Sequence, residues 1–219
     1  MYCIVLYCIV GYVYWSGGNY GVAALSDCTS HKAEATWAGY RPILEELVEA
    51  GVKYINFISD SPTSQYRNGK NVYLLQQFCI EKKITARWIW LEAGHGKGVA
   101  DGIGGRLKTT IDKVIATHPH TAFNSMTSIF NMTKENTNIK LYPYTSADVA
   151  TVISGLPSTL SLPGAMSMHE VFVRQDGTVR SKKLSDAGGY DLVHLKLSCV
   201  GRNRGLEEVE VEEEAMRHG

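Results

Sequence analysis

The spacing of apolar residues switches repeatedly between a period near two and a period of three to four, and that alternation restricts the fold more than any other feature of the chain. Two β-rich runs, at about 2–15 and 20–26, come first, joined through Ser16-Gly17-Gly18-Asn19, whose composition suits a hairpin connection. From Ser30 to Ala50 the residues Ala33, Trp37, Tyr40, Ile43, Leu44, Leu47 and Val48 form the stripe of an amphipathic helix ending at Gly51. Pro42 lies inside that stripe and predicts a kink or a late start. Strands at about 52–59 and 84–92 then alternate with helices at about 70–82 and 99–117. Further on, the pattern predicts a short helix at 120–131, a strand at 138–143, a helix at 146–154 and a hairpin around Asp176-Gly177. The fold class is α/β, with a mixed sheet flanked by helices.

Charge narrows the partners only when it is read by position. The chain holds 22 basic and 22 acidic side chains. Residues 206–219 carry six glutamates against Arg217 alone, so that stretch is at −5 and the rest of the chain at +5. A solvated, disordered tail is expected there, following a basic body suited to an anionic partner. Five dispersed cysteines without a C-x-x-C pair argue against a disulfide framework or a zinc ribbon. The apolar start, MYCIVLYCIVGYVYW, lacks the positive segment of an export signal and is shorter than the roughly 20 residues that cross a bilayer. A buried strand is the expectation, in a nuclear or cytoplasmic protein with no membrane partner.

Two carboxylates stand where chemistry is plausible. Asp60 follows the last apolar residues of a predicted strand, the edge at which α/β sheets expose functional side chains. Asp101 falls in the first turn of the helix at 99–117, whose spacing puts Gly104, Gly105, Lys108 and Asp112 on one face, opposite Ile103, Leu107, Ile111, Val114 and Ile115. Such a face suits a phosphodiester, since carboxylates hold hard Mg²⁺ and glycines admit a close backbone. From spacing alone the plainer reading is that Asp60 begins an Asx turn and Asp101 offsets the positive end of its helix. The run Gly94-His95-Gly96-Lys97-Gly98 fails as a Walker A loop, which needs glycine where Leu91 stands and Ser or Thr where Gly98 stands. Trp37, Trp88 and Trp90 fall in helix or strand patterns and are expected in the core.

A longer pattern shifts this balance. The run from Ser59 to Asn68 (SDSPTSQYRN), followed by Glu92 to Lys108 (EAGHGKGVADGIGGRLK), resembles animal proteins derived from mobile elements, with an RNase H-like core of the DDE/DDD transposase and integrase type. The similarity extends to Ser26-Asp27-Cys28, to Leu162–His169 and to Leu197-Ser198-Cys199. The resemblance implies two-metal phosphoryl transfer with Mg²⁺ or Mn²⁺, in which Asp60 and Asp101 match the second and third of three acidic ligands. It also implies DNA as partner, with Gln65, Arg67, His95, Lys97, Arg106 and Lys108 as candidate nucleic-acid contacts. The first acid belongs to a strand upstream of Leu6–Trp15 that has no counterpart before Met1.

The resemblance therefore implies an RNase H-like core at 1–118 lacking its first strand, an α+β extension at 119–205, and the acidic tail. As a transposase-like enzyme such a chain is expected to be catalytically impaired. A non-enzymatic nucleic-acid- or protein-binding module, or an inactive gene fragment, is the alternative. Oligomeric state is left open.

Overall fold

The computed structural model describes residues 7–92, 98–120, 123, 125–183 and 189–198. The amino-terminal hairpin consists of β1 (Tyr7–Trp15) and β2 (Gly18–Ser26), antiparallel, with Trp15 opposite Gly18. The connection is thus the two residues Ser16-Gly17, and Gly18 takes a φ of 141°, a conformation that favours glycine. Helix α1 (Ala33–Glu49) runs through Pro42 without a late start. Then follow β3 (Tyr54–Ser59), α2 (Gly69–Lys82), β4 (Thr85–Trp90) and α3 (Val99–Thr117), all close to the segments the periodicity predicts.

Helix α4 (Met126–Glu135) begins later than the 120–131 pattern suggests. Ser125 supplies the reason, because its Oγ caps the helix by accepting from the Ser128 N–H at 3.2 Å. Beyond it lie β5 (Lys140–Pro143), α5 (Ser146–Ser154), β6 (Thr159–Ser161), a 3-10 turn (Ala165–Ser167), β7 (Glu170–Val173) and β8 (Val179–Lys182). The short strands β9 (Asp191–Leu192) and β10 (Lys196–Ser198) close the described part. The hairpin expected at Asp176-Gly177 is β7-β8.

The expected single mixed sheet is divided. One sheet has the order β1-β2-β5, the larger has β3-β4-β7-β8-β9, and β6 pairs only with β10. Both main sheets are mixed: β5 is parallel to β2 and β4 parallel to β3, while the other pairs are antiparallel. The segment beyond residue 119 does not stand apart from the first 118 residues. Its strand β5 completes the first sheet and its strand β7 extends the second, so sequence-distant segments share each core.

Helix α1 joins the two sheets. Its Trp37 and Leu44 pack with Trp88, Ile55 and Val171 of the larger sheet, whereas Ala35 and Ala38 pack with Ile9, Ala24 and Tyr144 of the smaller one. The opposite face of the smaller sheet is covered by α3 and α4 through Leu107, Met126 and Phe130. Trp37, Trp88 and Trp90 are all buried, as their patterns predict. Among the described residues no helix is long and apolar enough to cross a membrane.

Candidate functional site

At the carboxyl end of β3 the backbone is held from both sides. Ser59 Oγ accepts from Trp88 Nε1 at 2.9 Å and donates to the Asp60 carbonyl at 2.7 Å, while the Leu91 N–H reaches the Ser59 carbonyl at 2.8 Å. The parallel pairing of β3 with β4 therefore ends where Asp60 leaves the sheet. The next residues turn tightly, because the Pro62 carbonyl accepts from the N–H groups of Gln65, Tyr66 and Arg67. Asn68 caps α2 by accepting from the Asn71 N–H at 2.9 Å, and its Nδ2 returns to the Thr63 carbonyl at 2.8 Å.

Beneath this loop sits a polar cluster that strand and helix periodicity do not reveal. Asn71 is fully buried, accepts from Trp37 Nε1 at 2.6 Å and donates to the Tyr66 carbonyl at 2.7 Å. Each of its hydrogen bonds fixes a different element, so the loop that carries Asp60 is tied to both α1 and α2. The Tyr66 ring is buried beside Asp60, and its hydroxyl faces that of Tyr40 at 3.3 Å. Burial pushes the Tyr66 phenol up, and the nearby Asp60 carboxylate pushes it further.

Asp101 approaches the same place from the first turn of α3. One of its oxygens accepts from the Gly98 N–H at 3.1 Å, so the helix-capping role is realised. Asp60 and Asp101 are nonetheless brought close enough to repel. Partial desolvation raises the Asp60 pKa above the ordinary value, and the charge of Asp101 raises it again. Asp101 is exposed and its second oxygen lies outside the cap.

The face of α3 next to this pair differs in one respect from its spacing. A side chain on Gly102 or Gly105 would meet open space, but one on Gly104 would meet Val10 of β1 at 3.6 Å. Gly104 thus belongs to the packed side, and the bare positions are Gly102 and Gly105. Ile115, placed by spacing in the core stripe, is 42% exposed, whereas its neighbour Val114 is buried at 3%, so the buried face passes through Val114 rather than Ile115.

The candidate nucleic-acid contacts separate in the structure. Arg106 and Lys108 are exposed on α3, and Arg106 borders a groove of about 610 Å³ with Thr109, Lys113 and Asn136. Arg67 is turned inward instead: its Nε donates to the Ala165 carbonyl at 3.1 Å and its guanidinium also reaches the Met166 carbonyl. It clamps the 3-10 turn onto the β3-α2 loop, a role that no local pattern announces. Gln65 contributes its backbone N–H to the Pro62 turn. His95 and Lys97 lie outside the described residues.

Among the described residues no group of three or more His, Cys, Asp or Glu side chains converges. Asp60 and Asp101 offer two hard oxygen donors, which fits a hydrated divalent cation such as Mg²⁺ or Mn²⁺ that keeps several waters and takes further oxygens from a phosphate. The donor set does not suit a soft metal.

The geometry defines a mixed α/β domain with paired carboxylates at the carboxyl edge of a parallel strand pair. The chain belongs to the family described as Domain of unknown function (DUF8701), whose model matches residues 4–185. No curated protein and no solved structure matches it.

Proposed function

We propose that this is an RNase H-like, transposase-related domain that binds a nucleic-acid backbone through a Mg²⁺ or Mn²⁺ ion held by Asp60 and Asp101. One observation carries the reading: residues distant in sequence, on a strand end and a helix start, bring two carboxylates near enough at the edge of a sheet for the charge of Asp101 to help raise the Asp60 pKa. Like charges crowded together are costly unless a cation or proton is shared between them. The antiparallel pair followed by a helix and a parallel β-α-β unit supports the RNase H-like part of the reading. Among the described residues only Asp60 and Asp101 converge here, and two carboxylates alone leave ion position and charge balance under-determined, so turnover is expected to be weak.

Asparagine substitution tests this without removing the helix cap, because an Asn at 101 still accepts from the Gly98 N–H. Mn²⁺ titration followed by paramagnetic broadening of the protein NMR signals should show binding near Asp60 and Asp101 in the parent chain. In Asp60→Asn or Asp101→Asn it should weaken about tenfold or more, as for loss of one charged ligand from a small set. Cation binding that survives both changes would remove the proposal. Plasmid nicking in Mg²⁺ or Mn²⁺, abolished by either change, would show the domain to be an active metal-dependent phosphoryl transferase.

A further inference from the structure

Among the described residues the larger sheet has one face packed under helices and the other uncovered. On β3, Ile55 points into the core while Tyr54 and Ile58 on the other side are 46% and 65% exposed. On β4, Ala86, Trp88 and Trp90 are buried and Arg87 alternates with them, as Phe172 does between Val171 and Val173 on β7. The register puts Arg87 opposite Phe172 and Phe172 opposite Arg180, a single row across three strands in which an aromatic ring lies between two guanidinium groups. Tyr54, Phe172 and Tyr190 continue the aromatic line, with ring centroids 6.4 and 5.7 Å apart.

This face is organised by a buried acid. Glu170 is 0% exposed, although it is the first residue of β7, with Ile89 of β4 on one side and Lys182 of β8 on the other. Arg87 reaches one of its oxygens at 2.6 Å and the Tyr190 hydroxyl donates to the other. Lys182, opposite Glu170 in the register, places its ammonium 4.3 Å from the centre of the Tyr190 ring. A hydrophobic residue of similar size would serve packing at least as well as a buried ion pair. What Glu170 does instead is hold Arg87 and Tyr190 in set orientations, and because Arg87 neutralises this one acid of the paired rows, Arg180 and Lys182 remain as a positive surplus.

An exposed Tyr54 ring and the half-buried rings of Phe172 and Tyr190, next to cations on a sheet face, match the chemistry of unpaired bases joined by phosphates. The centre of a protein-docking face is depleted of charge, whereas here the row Arg87–Phe172–Arg180 alternates cation and ring and Lys182 adds a cation in the next row. We infer that the open face of β3-β4-β7-β8-β9 binds a single-stranded polynucleotide, with Tyr54 and Phe172 stacking on bases and Arg180 and Lys182 meeting phosphates. This surface is separate from the Asp60–Asp101 pair and needs no metal.

Fluorescence anisotropy with the full chain tests the inference, using labelled oligo-dT and oligo-U of about twelve nucleotides, within the usual range of site sizes, and a duplex of equal length. Both single strands should bind more tightly than the duplex. Tyr54→Ala and Phe172→Ala should each weaken single-strand binding by about tenfold, whereas Tyr54→Trp should retain it. Arg180→Glu combined with Lys182→Glu should flatten the dependence on salt. Circular dichroism and melting identify any variant that fails to fold, and exposed Tyr54 is the safer of the two. Unchanged single-strand affinity in folded Tyr54→Ala, equal affinity for duplex, or no binding at low salt would overturn the inference. So would loss of metal-free binding in Asp60→Asn, which would move the contact to the carboxylate site.

Discussion

The two main sheets differ in how many faces they bury, and their sequences differ accordingly. In the smaller sheet, β2 is buried at every residue from Gly21 to Ser26, because α1 and α5 cover one side and α3 and α4 the other. Its residues are small: Gly21 lies against Ile103 of α3, and Ala24 faces Gly39 of α1. A helix can approach both sides only where side chains are short. In the larger sheet β4 alternates between buried and half-buried positions, with helices on one side only. Two covered faces dictate an unbroken run of small apolar residues, and one covered face dictates alternation, which frees every second side chain for something other than packing.

The contrast between the two faces of the larger sheet is broken most severely from its packed side. Trp88→Ala should cost about 3–5 kcal/mol, since this fully buried ring stacks on Phe57 and donates to Ser59. Urea denaturation would measure it, with loss of order in the Asp60 loop as the accompanying sign.

Glu170→Ala should cost about 1–2 kcal/mol, less than for a fully buried pair, because Arg87 loses its partner but remains 31% exposed to water. Its pH dependence has a definite sign. Burial pushes the Glu170 carboxyl up, but the hydrogen bonds from Arg87 and Tyr190 outweigh it and the net shift is downward. A carboxyl lowered in the folded state contributes stability that is complete above the unfolded value of about 4.3 and disappears as pH falls through the lower folded value. Acid titration of Glu170→Gln should therefore show a flatter stability curve below about pH 5 than the parent chain.

A comparable effect belongs to the doubly covered sheet. A methyl group on Gly21 would come within 2.6 Å of Ile103 Cδ1, the far end of a flexible side chain. Gly21→Ala should cost about 1–2 kcal/mol and be partly rescued by Ile103→Val, a coupling that a double-mutant cycle reads directly. The open face sets the lower limit. Ile58→Lys should change stability by no more than about 0.5 kcal/mol. At the candidate site the sign reverses: Asp60→Asn should slightly raise the melting temperature near neutral pH, because the folded state raises the Asp60 pKa and ionisation there opposes folding.

Much of the candidate site is written locally. Asp60 after an apolar run and Asp101 in the first turn of a helix are positions that spacing marks as candidates while favouring a turn and a helix cap, and the structure puts them near enough for the charge of Asp101 to act on Asp60. Arg67 shows why the rest was not legible. Its partners are the carbonyls of Ala165 and Met166, about a hundred residues away, so a side chain grouped with phosphate contacts is instead a clamp within the fold. Asn71 and Glu170 were hidden for a related reason: a polar residue in a helix or strand shows its role only through the partners that surround it.

By itself, the sequence determined where the chain turns, coils and extends, down to α5 and the β7-β8 hairpin, because periodicity and capping act over three or four residues. It also determined that Trp37, Trp88 and Trp90 enter the core, whereas in β1, expected as a buried strand, Ile9 is buried but Tyr14 is 68% exposed. Tertiary structure decided that β5 returns to β2 and β7 to β4, that the sheet divides in two beneath a shared α1, and that one face of the larger sheet stays open. Those choices follow from which apolar surfaces meet across long stretches of chain, and hydrophobic burial rewards the area removed from water without regard to distance in sequence.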